Sequence, residues 1–379
     1  MVQKIPATSL DSQRPFRNMV INGDMAIAQR GTSATTVVYD TVHTVDQWKA
    51  NYTQGATSVF SVEQSTDVPS GQGFKKSLLY KCTTAESSLN AAHRMFPLFR
   101  VEDNNVLDLE FGTSNAKSVT LSFWVKSNLT GTYQINLFNN PASKYISDTY
   151  VINSANTWEF KTCHFAGDQG TATTTAGNAG LQAEFCLSAG SNYTSGTAPA
   201  NTTTTYPTFA NANRAASHGV NMASSTSNNW YITGVQLEAG GTGTNFTDPS
   251  DFEFLPHDVQ LKRCQRYFQL FNDGSYDNEG LFNGTLYTTS TLYGYIPLQT
   301  PMRAGPSLYE VTGTDYWVAY TNGSNNTFDD MGINGDASNT FICEVYVPSS
   351  GNLSLGSGGQ SAFVRTHNAA ARLGASAEL

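Results

Sequence analysis

The sequence predicts an all-β protein built as two sandwich domains joined by a short, partly helical connector. Period-two alternation recurs along the chain: Val119, Leu121, Phe123 and Val125 share one face of a segment, Tyr133, Ile135 and Leu137 that of a second, and Leu181, Ala183, Phe185 and Leu187 that of a third. Charged residues are only 13% of the chain and aromatics reach 12%, with Thr, Ser, Asn and Gly plentiful, which is the profile of short strands and many polar turns. At 379 residues the chain exceeds what one core usually carries, so two domains are expected.

Residues 1–17 carry Pro6 and Pro15 and no periodicity; they read as an extended arm of the kind that pairs with a neighbour in an assembly. The first sandwich is expected over 18–248. It opens on an apolar strand over 18–31, broken by the turn-forming Asn22, Gly23 and Asp24, and a second anchor follows at Val45 and Trp48. Over 86–96, Leu89, His93 and Phe96 line either one short helix or a loop entering a strand. Trp158 and Phe160 begin a fourth alternating segment, and Cys163 and Cys186 fall opposite the best apolar positions of their strands. The polar stretches 167–180 and 188–229 are too long for hairpin turns, so they cross the ends of the sandwich or lie over its surface. In the closing strand Tyr231, Thr233, Val235 and Leu237 point one way and Ile232, Gly234, Gln236 and Glu238 the other, until Gly240, Gly241 and Gly243 stop it.

The connector spans 249–266, with one or two helical turns over 258–263 and Val259, Leu261 and Cys264 as apolar positions. A smaller β-sandwich over 267–379 completes the chain. Its strand candidates are 286–296, 307–311, 316–320, 341–347 and 360–365, with a glycine-serine turn region at 351–359.

The net charge of -9, with no cluster of Lys and Arg, argues against nucleic acid, and Lys262, Arg263 and Arg266 read as a solvated or ion-paired helix face. No apolar signal segment opens the chain and no run approaches about eighteen apolar residues, so neither Sec export nor membrane insertion is indicated and synthesis in a reducing compartment is expected. The five cysteines are scattered, odd in number and without a CxxC pair; they read as small hydrophobes. There is no GxSxG elbow, HExxH helix or phosphate-cradling GxxxxGK[ST] loop, and the six histidines occur singly. A glycosidase needs two carboxylates facing each other, which sequence cannot pick from thirty acids. The expectation is a protein that is not an enzyme and requires no organic cofactor.

A set of short motifs recurs in a distinctive order: NMVINGDM at 18–25, AQRG at 28–31, DQW at 46–48, LSFWVKS at 121–127, GTY at 131–133, WE at 158–159, GD at 167–168 and ITGVQLE at 232–238. CQRYF at 264–268, PMRA at 301–304 and the closing AEL at 377–379 continue it. Together they resemble the carbohydrate-binding-module-like jelly rolls of bacteriophage fibre and virion surface proteins, over nearly the whole chain after the arm. The resemblance implies a jelly roll in the first domain, a homo-oligomer, with a homotrimer expected, and a place on the virion surface after synthesis in the host cytoplasm. Only some seventeen residues precede the jelly roll, which departs from tail fibres with their long attachment regions and favours a short spike, a fibre tip held by another protein, or a capsid decoration.

Sugar recognition needs an aromatic platform flanked by hydrogen-bonding side chains. Trp124 lies opposite the Val119–Val125 face and is expected on an outer or concave sheet surface; Tyr133, Tyr145, Tyr150, Tyr193 and Trp230 are further candidates. In the second domain Tyr287, Tyr293, Tyr295, Tyr316 and Trp317 are dense enough to cover an exposed patch or to build a subunit interface, with the interface preferred. Related carbohydrate-binding jelly rolls hold a structural calcium near their first and last strands, and the resemblance places Asp24 and Glu238 at those locations as possible oxygen ligands. The expected function is host-surface polysaccharide binding by a virion protein that also contacts other virion proteins. The alternatives are a decoration or tail connector without ligand and, third, a polysaccharide depolymerase.

Overall fold

The computed structural model describes residues 16–42, 44–53, 57–173, 176–348, 353 and 357–379, so the expected arm lies outside the described residues except for Phe16 and Arg17, and most of the 351–359 turn region does too. The chain divides into two compact units, one ending at Gln260 and one running from Leu261 to Glu378. Both are β-sandwich-like, as the alternation predicts.

The first unit contains β1 (Ser33–Ala34), β2 (Trp48–Tyr52), β3 (Val59–Ser65), β4 (Ser77–Thr84), β5 (Arg94–Glu102) and β6 (Lys117–Ser127). It continues with β7 (Gly131–Asn139), β8 (Lys144–Ile152), β9 (Glu159–Phe165), β10 (Ala179–Phe185), β11 (Ser188–Ala189) and β12 (Asn229–Thr242). One sheet runs β1-β3-β4-β12-β6-β9; the other runs β11-β5-β10-β7-β8, with β2 paired to β5. Aromatic side chains lock the two sheets face to face. Phe123 from the first packs edge-on against Tyr150 and Phe185 of the second at 5.1 and 5.3 Å, and Trp230 meets Phe185 at 5.6 Å. Each such ring removed from water is worth roughly 1.5–3 kcal/mol.

Two strands depart from simple alternation. In β12 the ladder to β6 slips between Thr233 and Gln236, where Gly234 takes a left-handed φ of 61°. Trp230 and Ile232 therefore face the core with Val235 and Leu237, while Tyr231 and Thr233 face outward, so the expected grouping of Tyr231 and Thr233 with Val235 and Leu237 is corrected by one bulge. In β9 the core side is Cys163 and Phe165, and Phe160 points outward.

The motif over 18–25 is irregular backbone rather than a strand, and it edges the second half of β12. Met19 N–H donates to Leu237 O at 3.0 Å and Val235 N–H to Gly23 O at 2.9 Å, and a Cβ on Gly23 would stand 2.1 Å from Val235 O. Buried Asn22 closes the turn with its own amide, donating to Ile27 O and Asp46 O and accepting from Ile27 N–H. Residues 86–93 form a loop entering β5, the second of the two readings of that stretch.

The long stretch 190–228 lies as a strap over the outer face of the second sheet. Tyr145 N–H donates to Pro207 O, Ser147 N–H to Pro199 O and Gly219 N–H to Thr132 O. Arg214 reaches through it to the buried carboxylate of Glu184, donating from Nε at 2.8 Å, with its guanidinium over the rings of Phe96, Phe138 and Phe209.

A helix covers His257–Gln265. The second unit then contains β13 (Phe268–Leu270), β14 (Gly280–Leu286), β15 (Leu292–Pro297), β16 (Ser307–Val311) and β17 (Trp317–Thr321). After these come β18 (Ser324–Phe328), β19 (Gly332–Ile333), β20 (Ile342–Val347), β21 (Ser361–Thr366) and β22 (Arg372–Ser376). A three-stranded sheet β13-β22-β16 accompanies a seven-stranded sheet β18-β17-β21-β14-β15-β20-β19. Trp317, Leu292, Phe328, Val345, Val364 and Leu373 form the core.

Candidate functional site

The outer face of β6, β9 and β12 carries a recess. Trp124 and Phe160 are directly paired across β6 and β9, their ring centroids 5.5 Å apart, and Phe160 is 45% exposed. They line a half-open cavity of about 510 Å3 together with Ser122 and Gly234. Gln72 and Phe74, from the turn between β3 and β4, form one side. Ser250, Asp251, Phe252 and Phe254, from the connector, form the other.

Each wall has a physical cause. Phe74, Phe252 and Phe254 make a mutual triad with centroids 4.9 to 5.1 Å apart, which folds the connector onto the turn. Phe74 reaches its place because Gly234 has no side chain there: a Cβ would lie 2.5 Å from Phe74 Cζ. The connector is pinned to outward polar groups of β12, Ser250 N–H donating to Glu238 Oε2 at 3.1 Å and Glu253 N–H to Gln236 Oε1 at 2.8 Å.

The neighbouring charges are consumed locally. Lys126 pairs with Asp67 and sits 4.3 Å above the centre of the Tyr231 ring, and Trp158 Nε1–H donates to Asp67 Oδ1 at 2.9 Å. Burial alone would raise the Asp67 carboxyl, but the hydrogen bonds from Lys126 and Trp158 outweigh it and hold the group below its ordinary value. Asp251 is the one carboxylate among the described lining residues. The recess can stack a flat ligand on its rings and hydrogen-bond the ligand's rim; its lining lacks the paired carboxylates of glycoside cleavage.

Of the aromatic residues expected to bind, Trp124 alone lines this cavity. Trp230 and Tyr150 belong to the core, where Trp230 Nε1–H donates to the Tyr150 hydroxyl at 3.1 Å, and Tyr133 stacks on Tyr150 at 5.1 Å. Tyr145 does face outward, but beneath the strap, stacked on Phe138 at 4.8 Å with its hydroxyl donating to Ala210 O. Tyr193 belongs to the strap itself and packs edge-on against Phe96 while accepting from Arg94. Burial pushes the Tyr145 and Tyr150 phenols well up. The structure thus removes Tyr145, Tyr150, Tyr193 and Trp230 from any solvent-facing platform.

Asp24 and Glu238 hold separate posts. Glu238 accepts from Ser250 and Gln236 and lies 3.2 Å from Arg17 Nε, whereas Asp24 accepts from Gln260 Nε2 at 3.2 Å. Burial raises the Asp24 carboxyl. Among the described residues no group of three or more His, Cys, Asp or Glu is placed to hold a metal ion.

Sequence reasoning missed Phe160, whose outward direction follows from the inward Cys163 and Phe165, and Phe252 and Phe254, whose alternation in the connector was the available signal. It also missed a constellation that no spacing reveals: Ser188 Oγ lies 3.0 Å from His93 Nε2, and Glu86 Oε2 3.3 Å from His93 Nδ1. That is the order of a nucleophile relay, but Ser188 and His93 are fully buried, and burial lowers the imidazole pKa despite the carboxylate. Glu86 also accepts from Ser58 N–H and Asn90 N–H, so the group ties three segments together in the interior.

No protein-family model matches the sequence, and no curated protein matches it. Solved structures to which the fold is similar include carbohydrate-binding modules and a phage tailspike domain, all distant. The enzymatically active domain of tailspike protein 4 of bacteriophage CBA120 is 13% identical with a TM-score of 0.30, over 60% of this chain and 22% of that one. A CBM61 module, TmCBM61, solved with β-1,4-galactotriose, is 9% identical with a TM-score of 0.29, over 59% of this chain and 99% of that one. The CBM22-1–CBM22-2 tandem of Paenibacillus barcinonensis Xyn10C is 9% identical with a TM-score of 0.26, over 93% of this chain and 98% of that one.

Proposed function

We propose that this chain is a non-enzymatic bacteriophage surface protein, a short spike, fibre tip or decoration, whose first sandwich binds a host-surface glycan. The observation that carries the glycan reading is the half-open recess in which Trp124 and the exposed Phe160 stand beside Ser122, Gln72 and Asp251. Ring faces take the apolar side of a pyranose, and the short polar groups take its hydroxyls. The phage assignment rests on the ordered motifs from NMVINGDM to CQRYF, and assembly as a homo-oligomer, a trimer first, belongs to the same reading. Repeated copies raise effective concentration, so a shallow single site suffices for adsorption.

The test is adsorption of the purified, fluorescently labelled protein to candidate host cells with and without their surface polysaccharide. Trp124→Ala and Phe160→Ala should each cut polysaccharide-dependent labelling by roughly tenfold, the scale of a lost stacking ring in a recess, with melting temperature little changed. No polysaccharide-dependent labelling would leave a decoration or connector without ligand as the better reading, and polysaccharide-dependent labelling that survives both substitutions would move the glycan away from this recess.

A further inference from the structure

We infer that the outer face of the seven-stranded sheet in the second unit is a separate binding surface for an uncharged polysaccharide lying across the strands. This does not depend on the Trp124 recess.

Strand parity puts the rings on one face. Trp317, Ala319, Leu292, Val345 and Val364 turn into the core, so their neighbours Tyr320, Phe363, Tyr293 and Tyr346 turn away from it. The register makes these a band: Tyr320 pairs with Phe363, Phe363 with Asn283, Thr285 with Tyr293, and Tyr293 with Tyr346. Tyr295, two residues along from Tyr293, and Tyr287, just beyond β14, extend it and are 54% and 76% exposed. Strands are about 5 Å apart, close to the length of one pyranose unit, so rings on successive strands meet successive sugars of a chain crossing them.

Two of the rings lean over glycines. A Cβ on Gly280 would be 2.7 Å from Phe363 Cζ, and one on Gly332 would be 2.6 Å from Tyr346 Cε1, so both rings rest where a neighbouring strand has no side chain, and Phe363 is 40% exposed. Tyr293 and Tyr346 stack at 5.7 Å with planes 25° apart. An outward ring face is what the apolar side of a sugar requires, and Asn283, Thr285 and Ser361 stand between the rings to meet its hydroxyls.

Charge selects a neutral ligand. Glu344 accepts from Asn334 Nδ2 at 2.9 Å and from the Tyr295 hydroxyl, and Arg365 Nη2 donates to Asn325 Oδ1 at 3.0 Å. Both charges of this face are thus engaged within it. An acidic polymer would meet Glu344 and a chain of net charge -9, with Arg365 the one cation of these strands and already bonded to Asn325, whereas an uncharged one meets rings, amides and hydroxyls.

The test is electrophoresis of the full chain through native gels holding hydroxyethyl cellulose, galactomannan or alginate, all in a Trp124→Ala background that silences the first site. Retardation by at least one neutral polymer, none by alginate, and a weakening of at least roughly tenfold in Tyr295→Ser/Phe363→Ser, which removes two stacking rings, would support the surface. Tyr287→Ser/Tyr320→Ser serves as a second variant if the first melts early. No retardation by either neutral polymer, retardation untouched by both variants, or stronger retardation by alginate would overturn it. So would variants that turn an oligomer into a monomer in sedimentation while leaving retardation unchanged, which would make this face a contact between copies. Loss of retardation on Trp124→Ala alone would count for the first site and against this one.

Discussion

Glu310 on β16 accepts the Met331 N–H at 3.1 Å in a partly buried place beside Asp330. Burial first, and then the neighbouring carboxylate, push its pKa up to about 8, so the folded protein holds a proton that the unfolded chain, with an ordinary glutamate near about 4.3, has released at neutral pH. A raised folded value means a stabilising contribution fully present below the unfolded pKa and lost as pH rises through the folded one. Glu310→Gln keeps the shape and does not titrate. Its melting temperature should hold a constant offset from the parent below about pH 4 and gain on it steadily up to about pH 9; parallel curves over that range would refute the protonated state. Residue identity alone gave no hint of this, because nothing in the sequence brings Glu310 and Asp330 together.

Among the elements, the strap over 190–228 depends most on a single contact. Arg214 and Glu184 are 6% and 0% exposed, so removing the guanidinium leaves a carboxylate with neither solvent nor counterion. Arg214→Ala should destabilise the first unit by about 3–5 kcal/mol in denaturant unfolding, and adding Glu184→Gln should recover a large part of that, since the buried charge itself carries most of the penalty. A single variant within experimental error of the parent would mean the strap is held by its backbone bonds alone. The strands were legible because inward residues recur every second position, as in β6, β7 and β10. The faces of β9 and β12 were misread for different reasons: in β9 the large rings of Trp158 and Phe160 outweighed a smaller inward set, and in β12 a one-residue bulge inverted the phase. The strap's path was partly legible, since its length forbids a hairpin, but nothing local says that it seals Tyr145 from solvent.

For the whole molecule, the five cysteines give a test of integrity in both units at once. All are buried thiols, and burial raises those of Cys163 and Cys186 well above the ordinary value and that of Cys343 to about 11. A chromogenic disulfide reagent should therefore label none of them on mixing with the native protein and all five in concentrated guanidinium; rapid native labelling of any one would show that its unit opens readily. The two-sandwich plan was readable from composition, length and period, and Trp124 from its parity. The cavity was not, because its walls come from the turn before β4, from β6, β9 and β12 and from the connector, stretches spread in sequence from Gln72 to Phe254. The strap and that cavity lie on opposite faces of the first sandwich, and the strap's turn at Thr194 and Ser195 is open to solvent. A short epitope inserted there would offer antibodies a handle on the folded chain, so that imaging could locate it while the recess stays free for a ligand.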